Sequence, residues 1–297
     1  MRPADIVRLL LLAAAWSSAF IFVRVAVPFL GPPTMALART LIGGVCLLAW
    51  AIAIGKTLDW KSHWKHYAII GLSTSALPFS LHAYAAQFIP SSFSVLINAT
   101  SPFFAGLFAW WMLGERLGVR ALAGMAIGVA GVAFLTGSER LVPSMTEALA
   151  VAAALGACAC YGFAGVIARK KNQAGAGGPS PFAVAAGSQL AASLMLIAVI
   201  PGSPPIAMPT PVAAVCAVMA GLLGSALAYA LYFRLIADIG PTRALTVTFI
   251  MPVFGLVGGA VFLGEIIDLR MIAGAVMIII GTALVLMKPA AGLRKAA

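Results

Sequence analysis

Apolar residues fall into ten long runs along the chain, and short groups of turn residues and charges separate one run from the next. Each run is long enough for a tilted helix to cross a hydrocarbon core of about 30 Å. The pattern therefore predicts an all-α, polytopic membrane protein with ten transmembrane helices. The predicted spans cover residues 6–27, 33–54, 65–86, 91–113, 119–136, 146–168, 181–200, 211–234, 242–263 and 270–287.

The fourth run has a copy in the ninth. Within residues 90–115 and 241–265, Pro102, Phe104 and the LGE at 113–115 recur at 252, 254 and 263–265, a constant offset of 150 residues that indicates an internal duplication. Each copy contains a proline, Pro102 or Pro252, and a proline inside a membrane helix frees a backbone carbonyl that a neighbouring helix or a wet cavity must take up. Interrupted helices at matched positions of two halves indicate the binding site of a transporter. We therefore predict a helix break or gate at both prolines, with a pair of structural kinks as the alternative.

Lysines and arginines indicate the orientation of the chain. They concentrate in alternate connecting segments, whereas the opposite segments hold only Arg140 and Arg270. By the positive-inside rule, this predicts a multi-pass protein of the cell inner membrane with both termini in the cytoplasm. Because each half contains an odd number of spans, the second half must lie upside down relative to the first. The predicted units are a first five-helix repeat (1–136), a connecting loop (137–145), a second five-helix repeat (146–288) and a cytoplasmic tail (289–297).

Composition supports a membrane protein and excludes several other classes. Hydrophobic residues make up 62% of the chain and charged residues 9%, with a mean hydropathy of +1.06, whereas a soluble domain carries about 25% charged residues. The net charge of +11 is spread over short loops, so no nucleic-acid partner is predicted. The four cysteines lie in apolar runs without CxxC spacing or accompanying histidines, so we predict no metal site, no cofactor and no disulfide framework.

Several of these features together resemble the EamA-type branch of the drug/metabolite transporter superfamily. They are the ten spans in a five-plus-five repeat, the proline-interrupted fourth span that ends in LGE at 113–115, and its copy at 263–265. Arg39 in the second span and Gln189 in the seventh are also similar to the arginine and glutamine at those places in the family. The resemblance covers nearly the whole chain. It implies a metabolite exporter, often of amino acids, with a central cavity between the two halves.

Ionisable side chains within the spans are few, and such residues are costly and usually functional. Arg39 is the deepest of them, and it either donates to a substrate carboxylate or a gate, or snorkels to the outer interface. His82 shares a helix face with Phe79 and is the only side chain in the spans expected to titrate near neutral pH. It either binds substrate or a neighbouring helix, or is satisfied by packing.

Polar and aromatic residues complete the predicted binding site. A polar stripe descends the fourth span just before Pro102, and it either lines a wet cavity or bonds to a neighbouring helix. Trp16 and Tyr161 correspond across the repeat and sit within spans rather than at their ends, which favours an aromatic-lined pocket. The predicted substrate-binding residues are Trp16, Ser17, Arg39, Phe79, His82, Ser94, Asn98, Ser101, Tyr161, Gln189 and Tyr229.

Two matched glutamates and a set of glycines are interpreted as structural. Glu115 and Glu265 stand before the next helix, where a carboxylate can accept hydrogen bonds from exposed N–H groups and is favoured by the helix dipole. Ion coupling is the alternative for both glutamates. Glycines in the fifth and tenth spans provide small faces for close helix contact or a dimer surface, so we expect a monomer or a homodimer.

The sequence therefore predicts a transporter, not an enzyme. It would export small metabolites, amino acids above all, by alternating access through the central cavity, as a facilitator or an exchanger. Its partners would be a small-molecule substrate and the lipid bilayer. An intramembrane enzyme would need a nucleophile–base pair, paired acids or a metal set within the spans, and the sequence shows none of these.

Other classes remain as alternatives. A proton-coupled efflux pump for drugs or cationic compounds would be expected to hold a buried carboxylate, whereas all eight acids lie at or near span ends. A nucleotide-sugar or phosphate-ester carrier would need several buried basic groups, and Arg39 stands nearly alone. A membrane receptor or scaffold would usually carry a soluble domain.

Overall fold

The computed structural model describes residues 2–115, 117–136, 144–173, 179–240 and 244–286. This part of the chain is helical and contains no strand. Residues 137–143 of the predicted connecting loop, which include Arg140, lie outside it, as does the whole predicted tail. Seven helical segments of the described part are long and apolar enough to cross a membrane, and Val119–Leu135 and Val247–Leu263 are shorter apolar helices.

In the described ranges, the helices form ten successive rods, which we number α1 to α10, and each overlaps one predicted span. Among the residues that the structure describes, two rods contain a short π-helical segment, and a turn divides the fourth rod. The first five are α1 (Pro3–Leu30), α2 (Pro32–Ala53), α3 (Trp60–Gly71, π-helical Leu72–Ala76, Leu77–Ala85), α4 (Ser91–Asn98 and Ser101–Leu113) and α5 (Val119–Thr136). The second five are α6 (Met145–Gln173), α7 (Pro181–Val199), α8 (Pro211–Gly221, π-helical Leu222–Leu227, Ala228–Ile239), α9 (Val247–Leu263) and α10 (Leu269–Leu286). The predicted all-α polytopic architecture is confirmed.

Packing between the rods follows a two-fold pattern. Rod α1 packs on α9 and α8, and α6 packs in the same way on α4 and α3. Rod α2 packs on α8 as α7 packs on α3, while the pairs α2–α7 and α5–α10 map onto themselves. Exchanging each rod for the one five places along therefore preserves these contacts. Two repeats related by a two-fold axis, as in many transporters, produce this pattern.

The two prolines differ in their structural effect. Pro102 lies at the start of the second helix of α4, directly after a turn at residues 99–100, so α4 is interrupted there as predicted. Pro252 lies inside the continuous helix of α9, and the turn in this region comes earlier, at residues 245–246. The expected break at Pro252 is therefore wrong. A proline is tolerated within a membrane helix when its neighbours satisfy the freed carbonyl.

The repeated LGE motif ends α4 and α9 in the same way. Gly114 and Gly264 adopt left-handed conformations with φ of 67° and 65°, which glycine adopts without steric strain. Their N–H groups donate to the carbonyls of Ala109 and Gly259. The glycine therefore closes each helix, as is common at helix C-termini.

Glycines also join α5 to α10. A β-carbon placed on Gly124 would lie 2.5 Å from the carbonyl oxygen of Gly281, and one placed on Gly281 would lie 2.5 Å from that of Gly124. Gly131 and Gly274 face each other in the same manner. The predicted small faces therefore make a contact within the chain, where they bring two backbones together. They are not free to form a dimer surface.

Candidate functional site

Side chains from α1, α2, α3, α6 and α8 converge around Arg39 inside the bundle. Arg39 is only 9% exposed, and its Cζ lies 3.8 Å from the centroid of the Phe79 ring on α3. Such a contact is a cation–π interaction. The side chain therefore points into the bundle and does not snorkel to the membrane surface. We call Arg39, Phe20, Phe79, His82 and Tyr161 the Arg39 site.

The Arg39 guanidinium is hydrogen-bonded to the π-helical segment of α8. Its Nε donates to Ser225 Oγ at 3.3 Å, and its Nη2 donates to the carbonyl oxygen of Gly224 at 3.1 Å. Both acceptors are neutral. Arg39 is also absent from the ion pairs among the described residues, which are Arg8–Asp5, Arg8–Asp238, His63–Asp59 and Arg234–Asp238.

Aromatic rings surround His82 within the same site. Its ring is 5.1 Å from Phe20 on α1 and stacks on Tyr161 of α6 at 6.0 Å, measured between ring centroids. His82 is 4% exposed and lies beside Asn98, yet neither imidazole nitrogen meets hydrogen-bond geometry. Because a buried polar group without a partner is unfavourable, these nitrogens are available to a polar ligand.

The free space at the Arg39 site is small. The cavity has a volume of about 10 Å³, close to the lower limit for one water molecule. The site is therefore almost filled by its own side chains in this structure. The cavity is lined by Phe20, Val23, Met35, Ala36, Arg39, Phe79 and His82.

Trp16 and Tyr229 lie close to this group. Trp16 is one helical turn from Phe20 on α1, and its ring packs on Tyr232 of α8 with centroids 5.3 Å apart. Tyr229 and Tyr161 are near enough to Arg39 to interact electrostatically with it. The structure thus brings Trp16, Arg39, Phe79, His82, Asn98, Tyr161 and Tyr229 into one region.

Other predicted site residues make contacts of a different kind. Ser17 donates to the carbonyl oxygen of Met251 at 2.9 Å and so joins α1 to α9. Ser94 and Ser101 donate to the carbonyls of Pro90 and Asn98 within α4. Helix packing or local bonding accounts for these three hydroxyls, and their role in substrate binding stays a prediction.

Gln189 is fully buried at the contact between α7 and α2, where it lies against Gly44. Neither its amide oxygen nor its amide nitrogen has a hydrogen-bond partner. The side chain could thus bind a polar group, but none of its described contacts is with the Arg39 site. Its assignment to the substrate also stays a prediction.

Glu265 binds a helix N-terminus, but not the predicted one. Its Oε1 accepts from the N–H of Ser91 at 2.7 Å, and its Oε2 accepts from the N–H of Ser92 at 3.0 Å and from the Ser92 hydroxyl. These donors begin α4, in the other repeat. Asp268 instead accepts from the N–H of Met271 at the start of α10. The prediction that Glu265 serves the following helix is therefore wrong, while Glu115 lies at the exposed end of α4.

Ser225 and Gly224 are functional candidates that the sequence analysis does not identify. A signal for Ser225 was available, because residues 221–227 match 71–77 at the offset of 150 and place Ser225 opposite Ser75. Both serines are fully buried and both lie in π-helical segments. Such segments occur frequently at functional sites. Periodicity does not reveal a π-helical turn, so the link to Arg39 required the structure.

Comparison with known proteins gives consistent matches. The model of the EamA-like transporter family matches residues 5–137 and 148–287. The transporter YvbV of Bacillus subtilis, named as uncharacterized, is 25% identical over 275 residues, which cover 92% of this chain and 88% of the relative. A protein of Streptantibioticus cattleyicolor named "Probable terminal-alkyne amino-acid exporter" is 25% identical over 280 residues, with 93% and 91% covered.

Two further matches extend the comparison. The inner membrane transporter YedA of Escherichia coli, also named as uncharacterized, is 27% identical over 255 residues, which cover 84% of this chain and 80% of the relative. A solved structure described as "Crystal structure of protein" superposes with a TM-score of 0.68 over 96% of both chains at 18% identity. That last likeness concerns the fold alone.

Proposed function

Because the chain belongs to the EamA-like transporter family, we propose that it exports amino acids by alternating access, as a facilitator or an exchanger. The observation that carries the proposal is Arg39, a buried guanidinium with no acidic partner among the described residues, set in aromatic rings. An unpaired buried cation is unfavourable, and a substrate carboxylate would compensate it. One relative bears the name of an amino-acid exporter, which supports the same substrate class.

In this proposal each group at the Arg39 site has a role in binding. The guanidinium takes the carboxylate, because arginine presents paired N–H donors that match two carboxylate oxygens. The rings of Phe20, Tyr161 and Trp16 contact the rest of the substrate, since aromatic faces attract both apolar groups and ammonium groups. His82 and Asn98 hydrogen-bond its polar atoms. The chemistry is binding, not catalysis.

Contacts between the repeats close the bundle at both ends. At one end Arg8 of α1 pairs with Asp238 of α8 at 2.8 Å. At the other end Glu265 of the second repeat binds the start of α4 in the first. We propose that the carrier opens these ends alternately, with the Arg8 end in the cytoplasm and the protein in the cell inner membrane. Export then follows the substrate's own gradient.

Counterflow into proteoliposomes tests the proposal. Vesicles preloaded with one compound are diluted into the same labelled compound, using a panel of amino acids, nucleosides and cationic dyes. We expect counterflow with at least one amino acid, and loss of that activity in Arg39→Gln with the protein still folded. Counterflow of cationic dyes alone would instead favour the alternative efflux pump.

A further inference from the structure

The geometry assigns Ser225 as a positioning residue that fixes the Arg39 guanidinium for carboxylate recognition. This inference rests on the proposed function and names the chemical group that the site selects. It extends the site to the π-helical segment of α8, whose residues the substrate need not touch.

The contacts of Arg39 leave one edge of its guanidinium free. The Nε and Nη2 groups on one edge donate to Ser225 Oγ and to the Gly224 carbonyl. Phe79 covers a face of the same group. Of the five N–H donors of an arginine, three remain, and two of these lie side by side on the edge formed by Nη1 and Nη2. That edge can bind a carboxylate through two parallel hydrogen bonds.

Small residues bring the π-helical segment close enough for these contacts. A β-carbon on Gly43 of α2 would lie 2.6 Å from the Ser225 β-carbon, so any larger residue there would push Ser225 away. A β-carbon on Gly224 would lie 2.6 Å from that of Ala19 and 3.5 Å from Arg39 Nη2. The short distance from guanidinium to backbone carbonyl therefore depends on glycine at both positions.

The internal repeat provides a matched control. Ser75 occupies the place of Ser225 in the other repeat, is equally buried and also lies in a π-helical segment. Its hydroxyl, however, is 3.3 Å from the Thr74 hydroxyl, and the residue that corresponds to Arg39 is Gln189. Removing the Ser75 hydroxyl thus repeats the local change without affecting an arginine.

The functional test compares a carboxylate substrate with its neutral analogue. The probes are the amino acid that gives the largest counterflow and the corresponding amino-acid amide as a competitor. We expect Ser225→Ala to raise the half-saturation concentration for the amino acid about tenfold, as for one hydrogen bond to a charged group, with little change in maximal rate. Inhibition by the amide should change less than twofold. Ser225→Cys should recover part of the affinity, and Ser75→Ala should resemble the wild type.

Two results would overturn the positioning role of Ser225. The role would be merely structural if Ser225→Ala lowered the affinity for the amino acid and for the amide equally. The same would follow if Ser75→Ala and Ser225→Ala lowered the affinity for the amino acid equally. Wild-type protein that transports no amino acid would refute the proposed function instead.

A spectroscopic test needs no substrate. Protein labelled with ¹⁵N-arginine in lipid nanodiscs is compared with Arg39→Lys to assign the Arg39 signals. We expect separate Nη signals that merge in Ser225→Ala, because the guanidinium can then rotate, but remain separate in Ser75→Ala. Unchanged Nη signals in Ser225→Ala would overturn the positioning role even if amino-acid transport is found.

Discussion

Replacing Glu265 by glutamine should destabilise the fold through a contact that joins the two repeats. The carboxylate receives two backbone N–H groups and one hydroxyl at the start of α4, and it lies directly over Gly259, where a side chain would collide with it. Glutamine keeps the shape of the side chain but removes its charge. Its amide nitrogen must also face an N–H donor in place of one oxygen.

The magnitude follows from these contacts. Losing one hydrogen bond to a charged group costs about 1.5–3 kcal/mol, and losing a negative charge at a helix N-terminus costs about 0.3–1 kcal/mol. Glu265→Gln should therefore lower the free energy of unfolding by about 2–4 kcal/mol. The measurement is equilibrium unfolding in mixed micelles, followed by tryptophan fluorescence.

Asp268→Asn is the matched control for this measurement. Asp268 also accepts from a helix N-terminus, at 2.7 Å from the N–H of Met271, but it is exposed and serves its own helix. Asparagine keeps an oxygen that can cap the helix, so Asp268→Asn should cost only the lost charge, about 0.3–1 kcal/mol. If Glu265→Gln destabilised the protein by no more than Asp268→Asn, the contact between repeats would be energetically unimportant and the reasoning refuted.

Three further predictions concern the binding pocket, Glu115 and the energy source of transport. Trp16→Ala and Asn98→Ala should each raise the half-saturation concentration in counterflow about three- to tenfold; no change in either would mean that the cavity is wrongly assigned. Glu115→Gln should lower the unfolding free energy by about 0.3–1 kcal/mol, whereas lost transport at full stability would indicate ion coupling. Uptake should proceed without a pH gradient. Accumulation of the substrate under an imposed pH gradient would contradict this if an ionophore abolishes it and if it is lost in His82→Gln.

The sequence predicted the helices well because each membrane span must satisfy its own backbone within an apolar run. Each of the ten rods overlaps a predicted span, and the duplication anticipated the two-fold packing. Predictions of contacts between residues that are distant in the chain were less accurate. Glu265 was correctly expected at a helix N-terminus, but that helix lies more than 170 residues away in the chain.

At the Arg39 site too, the sequence predicted features that depend on local pattern and missed contacts with residues distant in the chain. Scarcity of charge within the spans identified Arg39 and His82 as candidates. Phe79 was predicted from the helix face that it shares with His82, and Tyr161 from the repeat. Phe20, in contrast, was not among the predicted binding residues. The acceptors on α8 were not predicted, because the π-helical turn in which they lie leaves no periodic signature in the sequence. The predicted helix break at Pro252 was wrong for a related reason, because neighbouring helices decide whether a proline interrupts a membrane helix.

The glycine contact between α5 and α10 has a mechanical consequence. Where two backbones lie this close, few side-chain atoms separate the helices and can adjust when one helix shifts against the other, so we expect α5 and α10 to move together. The pair maps onto itself under the two-fold relation, as the pair α2–α7 does, and so lies on the axis that relates the two repeats. In the proposed alternating-access cycle, we expect a bulky residue at Gly124 or Gly281, which would force the two backbones apart, to lower the rate of turnover while leaving the choice of substrate unchanged.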